Sequence, residues 1–163
     1  LWMKANELAS DGPVEASEKL REEAWAKMPA IAGTINGDPF SWFMDGDTRL
    51  GPCIEAVLDG EYYWVPLQKV EKVEVEAPSD LRHLVWIPAM FTWINGGEAG
   101  GLLPVRYPGS ADHDDPAVRL ARRTDWDEIG EYDFYRGIGQ KLFYTDAGEC
   151  SLLELEELKI DHS

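Results

Sequence analysis

Asp59-Gly60 constrains this chain more than any other pair of residues, because a strand-forming run lies on each side of it. Cys53-Ile54-Glu55-Ala56-Val57-Leu58 precedes the pair and Glu61-Tyr62-Tyr63-Trp64-Val65 follows it. Asp-Gly tolerates the positive φ that a two-residue hairpin turn demands, so the two runs are predicted to fold back on one another. Pro66 ends the second run, since it has no N–H to give to a central ladder. Upstream, Phe40-Ser41-Trp42-Phe43-Met44 reads as a further strand. An acidic turn, Asp45-Gly46-Asp47-Thr48-Arg49, and Leu50-Gly51-Pro52 carry the chain on to Cys53. Residues 39–67 thus predict three strands and two turns in one self-contained unit.

The rest of the chain extends this pattern. A single turn over Leu67 to Val70 leads to Val73-Glu74-Val75-Glu76, which alternates as a half-buried strand does. Asp80 is placed to cap a short turn at Leu81 to His83. The longest apolar run, Leu84 to Ile94, contains Pro88, which predicts an edge strand, bend or bulge there. The glycine-rich segment 95–101 returns the chain to a strand over Leu102 to Tyr107, and residues 108–116 read as an acidic surface loop. Val118 to Trp126 is expected to be one turn followed by a strand. Ile138 to Thr145 and Ser151 to Leu155 flank Asp146-Ala147-Gly148-Glu149 as a last hairpin, and Leu158 and Ile160 close the fold.

Before residue 39 the signals change. Leu1 to Ser10 reads as the end of a helix, and Asp11-Gly12-Pro13 starts a second that runs to about Lys27. Ala16, Leu20, Ala24 and Pro29 are spaced as in the second helix of a tetratricopeptide repeat, so the pair reads as a remnant of a helical solenoid. The expected fold is therefore α+β. Residues 1–29 form an N-terminal helical hairpin, 30–39 a Gly- and Asp-containing linker, and 40–163 a mostly antiparallel, barrel-like β domain.

Charge narrows the function classes. With 31 acidic against 15 basic residues the net charge is −16. Such a chain repels nucleic acid and anionic membranes, so neither is an expected partner. Cys53 and Cys150 belong to no paired motif and read as buried strand thiols. No apolar run reaches membrane-spanning length, and a cytoplasmic location is expected.

Asp45-Gly46-Asp47-Thr48 is the sequence's best imitation of a catalytic motif. An Asp-x-Asp after an apolar strand is how metal-dependent phosphohydrolases set a nucleophile and an acid beside magnesium. That chemistry needs alternating βα units, which are missing, and Arg49 stands where a small β-branched residue belongs. The preferred reading is structural, an ion-pair turn in which Asp45 or Asp47 holds Arg49. His113, within Asp112-His113-Asp114-Asp115, reads as a solvated loop rather than a metal site. Ser110 has no nucleophile elbow. No catalytic residue, metal or cofactor is assigned. A phosphohydrolase using Asp45 and Asp47 stands as the alternative.

Several separated segments, SWFMDGDTRLGPCIEAVLDGEYYWVPL, DLRHLVWIPA, PVRYPGS, RLARRTDW and GIGQKLFYTDAGE, resemble the TagJ/ImpE family of bacterial type VI secretion accessory proteins. The resemblance runs from about Pro29 to the C-terminus and implies a longer helical N-terminal region than stands here. It implies a cytoplasmic, non-enzymatic partner of a contractile sheath. Such a protein binds the small sheath subunit through that subunit's N-terminal helix, with the sheath-recycling ATPase as a second candidate partner. The aromatic residues supply candidate anchors, since Trp and Tyr are favoured at interfaces. Trp64, Trp86, Tyr62 and Trp93 are the expected partner-binding residues. Tyr62 and Trp64 share one face of their strand.

Overall fold

The Asp59-Gly60 turn forms as expected, with φ of 51° and 81° at its two residues. In this computed structural model, which describes residues 19–20, 22–24, 26–27, 30–129 and 134–162, the turn joins β4 (Cys53–Leu58) to β5 (Glu61–Pro66). Their register pairs Glu55 with Trp64 and Val57 with Tyr62. β5 lies at the edge of its sheet, where Pro66 costs no ladder bond.

A second such turn lies in the stretch expected to be a linker. Asn36 and Gly37 both take positive φ and join β1 (Gly33–Ile35) to β2 (Asp38–Phe40). The remaining strands are β3 (Phe43–Asp45), β6 (Val70–Val75), β7 (Trp86–Trp93), β8 (Glu98–Pro104), β9 (Thr124–Ile129), β10 (Phe134–Gly139), β11 (Leu142–Thr145), β12 (Gly148–Ser151) and β13 (Glu157–Ile160). Asp80 caps the turn at Leu81 through the Arg82 amide, and Asp115 caps a one-turn helix, Pro116–Arg119, through the Ala117 amide.

The strands form three antiparallel sheets. One has eight strands in the order β2-β1-β13-β6-β7-β8-β4-β5, one pairs β9 with β10, and one runs β12-β11-β3. The expectation of a barrel-like domain after a helical hairpin is therefore corrected. The large sheet is open, because its edge strands β2 and β5 do not pair, and each carries a proline (Pro39, Pro66) that weakens it as a template for closure. The described residues before Ala30 include one helical stretch within 19–26 and no second helix against it. The first limb of the expected hairpin lies outside the described residues.

Pro88 is not at an edge. It lies in β7, between β6 and β8, opposite Leu102. The Glu76 amide donates to the Pro88 carbonyl at 3.0 Å, one residue past the end of β6. The donor that Pro88 lacks is thus lost where the ladder is already ending. Glycines 100 and 101, expected in a loop, belong to β8, because a Cβ on Gly101 would lie 2.5 Å from Leu58 and 2.8 Å from the Val57 carbonyl. Glycine marks the close approach of two strands here.

Alternation decides where the core sits. Ile54, Ala56 and Leu58 of β4, Ile87, Ala89 and Phe91 of β7, Val73 and Val75 of β6, and Leu158 and Ile160 of β13 are buried in one cluster with Phe43, Phe143 and Cys150. Phe43 packs on Phe143 at 5.1 Å between centroids. Cys53 and Cys150 are free and buried, and burial pushes each thiol up to about 11.

Candidate functional site

The other face of the eight-stranded sheet is divided by chemistry. On β13 and β6 it presents Glu157, Lys159, Lys72 and Glu74, with Lys72 paired to Glu74 at 2.9 Å and Lys159 to Glu157 at 3.0 Å. Across β7, β8, β4 and β5 an apolar row crosses it. Pro88 lies opposite Leu102, Leu102 opposite Val57, and Val57 opposite Tyr62, a row across four strands. Trp86 lies opposite Pro104, and Met90 opposite Gly100. Of these, Tyr62 is 53% exposed and Trp86 39% exposed, with Met90 and Leu102 also exposed. Where Gly100 has no side chain, a cavity of about 260 Å³ opens between Glu74, Glu76, Pro88 and Met90.

The register thus brings Tyr62, Trp64 and Trp86 to one face. It does not bring Trp93 there. Trp93 stacks on Phe91 at 5.3 Å and 16° on the core side of β7. The sign of the alternation along β7, Trp86 outward and Phe91 and Trp93 inward, separates the two tryptophans.

Beneath β5 a buried polar network fixes the aromatic residues. The Trp64 indole donates to the Tyr62 hydroxyl at 2.6 Å, and Tyr62 donates in turn to Glu55. Glu55 is buried, and Lys141, 1% exposed, donates to it. The same ammonium lies 3.5 Å from Asp45 and 4.6 Å from the centre of the Tyr107 ring. Tyr107 donates to Asp45 at 2.7 Å, and the Asp47 amide does so at 2.8 Å. Asp47 receives the Arg49 guanidinium, its Nε at 2.8 Å, and the Gly137 amide at 3.2 Å. Three carboxylates and two cations are thus gathered under one strand.

Burial sets the electrostatics of this cluster. It pushes Asp45 up to about 6, against the pull of Lys141, Tyr107 and the Asp47 amide. Its second oxygen makes no hydrogen bond among the described residues, and the Lys141 contact is long for a charge-assisted bond, so desolvation stays under-compensated. Burial pulls Lys141 down, but Asp45 and Glu55 outweigh it and hold the ammonium above its ordinary value. Tyr62 is raised by burial and by the Glu55 carboxylate it bonds.

Asp45 and Asp47 are fully buried, and their oxygens face Arg49, Lys141, Tyr107 and backbone amides. Neither carboxylate is open to solvent. His113 accepts the Asp115 amide within its own loop, and Ser110 accepts the Gly139 amide at 2.7 Å. No cluster of three His, Cys, Asp or Glu side chains suits a metal among the described residues. No helix among them is long and apolar enough to cross a membrane.

A model of the ImpE protein family matches residues 37–159. This chain belongs to the ImpE family. It is 45% identical over 159 residues to a Pseudomonas aeruginosa protein named type VI secretion system accessory component TagJ, covering 98% of this chain and 55% of that protein. The chain therefore spans about half the length of its curated relative. A crystal structure of a Vibrio parahaemolyticus protein superposes with a TM-score of 0.87 at 26% identity, covering 99% of this chain and 60% of the other. Within the ImpE-matched region fall both the aromatic strip and the buried network. Glu55, Tyr107 and Lys141 were not singled out from the sequence. A lysine inside the apolar run Gly137 to Tyr144 is the one signal that could have pointed to them.

Proposed function

We propose that this ImpE-family chain is a non-enzymatic accessory component of a type VI secretion system. In this reading it binds the small sheath subunit through that subunit's N-terminal helix and assists sheath assembly or recycling. The relative's printed role supports the accessory assignment, and the sheath-recycling ATPase is a second candidate partner. The observation that carries the reading is the four-strand row Pro88, Leu102, Val57 and Tyr62, with Trp64 and Trp86 alongside it.

A strip of this kind suits an amphipathic helix, which offers an apolar stripe and little else. Its anchors are pre-set, because the Trp64–Tyr62–Glu55–Lys141 chain holds two aromatic side chains before any partner arrives. Fixing them beforehand lowers the ordering cost of association. Glu74, Glu76 and Glu98 rim the strip and favour lysine or arginine beside the partner's apolar stripe.

The test is calorimetric titration with a peptide from the sheath subunit's N-terminus. Trp64→Ala or Trp86→Ala is expected to cost at least about 2 kcal/mol, roughly thirtyfold in affinity, with the fold intact. Absence of binding by the unsubstituted protein would sink the partner. Binding unchanged in both variants would retain the partner and move the site elsewhere.

A further inference from the structure

A second concave site lies on the far side of the acidic turn, between the two smaller sheets. Its cavity, about 370 Å³, is lined by Met44, Gly46, Thr48, Trp126, Tyr135 and Tyr144. Register explains the convergence. Trp126 and Glu128 alternate onto one face of the β9–β10 ribbon, and Tyr135 lies directly opposite Glu128. On the three-stranded sheet Met44, Tyr144 and Glu149 form one cross-strand row. The rings of Trp126 and Tyr144 stand 6.3 Å apart at 55°, a V rather than a stack. All three aromatic side chains are half-buried, so their faces remain partly open.

The floor of the V is the backbone of Gly46. A Cβ there would lie 2.4 Å from Trp126 and 2.8 Å from Tyr144. Glycine is therefore what lets the rings close on the turn, and through the turn on the buried Asp45 and Asp47. Two carboxylates stand beside the lining residues, Glu128 opposite Tyr135 and Glu149 opposite Tyr144, and Tyr144 donates to Glu149. The basic residue on this ribbon, Arg136, is on the opposite face, paired with Asp127 at 2.6 Å.

Aromatic faces carry negative quadrupoles and attract cations within about 6 Å of a ring centre. Aromatic walls and neighbouring carboxylates select the same sign of charge. From this cavity we infer a cation site, in which Trp126, Tyr135 and Tyr144 receive an arginine or lysine side chain of a bound protein. The site is separate from the aromatic strip on the large sheet, and its test does not depend on the sheath peptide.

The probe is N-acetyl-arginine amide, with N-acetyl-citrulline amide as its neutral isostere. Titration is followed through the indole N–H resonance of Trp126, assigned by its loss in Trp126→Phe. The arginine probe should shift that resonance saturably, and the citrulline probe should bind at least about tenfold more weakly. Tyr144→Leu should abolish the shift. The double variant Glu128→Gln/Glu149→Gln leaves every ring in place and should weaken binding by roughly threefold to tenfold at low salt. Equal binding of the two probes would overturn the assignment in favour of a merely apolar cavity. No saturable shift at Trp126 up to about 100 mM probe would overturn it outright.

Discussion

Asp47 is held by Arg49 through a side-chain fork that spans two residues of one turn. Removing the guanidinium strands a buried carboxylate, so Arg49→Ala should destabilise the protein by about 3 kcal/mol in chemical denaturation. A change near zero would mean that the Gly137 amide and the turn suffice. Asp45 gives a pH prediction of opposite sense to the usual carboxylate. Its folded-state value, about 6, lies above its ordinary 3.8, so the folded protein keeps a proton that the unfolded chain releases. The stabilisation from protonated Asp45 is complete below about pH 4 and is lost as pH rises to about 6. Across that window the parent should lose stability relative to Asp45→Asn, on the order of 3 kcal/mol. Parallel profiles for the two proteins would show that Asp45 titrates normally. The local half of this cluster was legible in the sequence, because Asp45, Asp47 and Arg49 sit two residues apart. The other half was not. Tyr107 and Lys141 reach Asp45 and Glu55 across 62 and 86 residues, and no spacing rule connects them.

At the scale of elements, turns were easier to read than partners. The Asp59-Gly60 hairpin was clear because a strand-forming run flanks each side, six residues before it and five after. Asn36-Gly37 carries an equally strong turn signal, yet its strands are three residues long and one contains Pro39. So short a hairpin is stable only when something else pairs with it. That partner is β13, more than a hundred residues later, which aligns Gly33 with Ile160 and Ile35 with Leu158. Two glycine substitutions separate local from long-range effects here. Gly60→Ala faces open space and pays only for its φ of 81°, about 1 kcal/mol. Gly33→Ala would place a Cβ 1.9 Å from the Lys159 carbonyl, which is backbone and cannot swing away. It should cost at least about 2 kcal/mol and loosen β1 from β13. Hydrogen exchange at the Asn36 and Asp161 amides, which donate across this seam to Glu157 and Ala32, is the readout. Unchanged protection in Gly33→Ala would show that β1 contributes little to holding the edge of the sheet.

Across the whole molecule, the barrel expectation failed for a topological reason. Regularly spaced short strands fit a closed barrel and an open sheet equally well, and the difference lies in whether β2 meets β5. An open sheet has an outer face, and in this chain that face carries the proposed docking strip. Net charge was legible from composition, but its placement was not. The −16 charge raises the local concentration of any cationic partner over the whole surface, whereas Glu74, Glu76 and Glu98 act beside the strip itself. The two contributions separate kinetically. If the proposed basic helix docks there, its association rate should fall about tenfold or more from low to high salt, with a smaller change in dissociation. Glu74→Gln/Glu76→Gln/Glu98→Gln should lower the association rate and flatten its salt dependence. The triple variant Asp38→Asn/Asp112→Asn/Asp114→Asn removes the same charge from positions off the strip and should do so to a smaller extent. Stopped-flow association over a salt series measures both. Equal effects of the two triple variants would assign steering to the overall field and remove the acidic rim from the docking account. A rate indifferent to salt would remove electrostatic steering altogether.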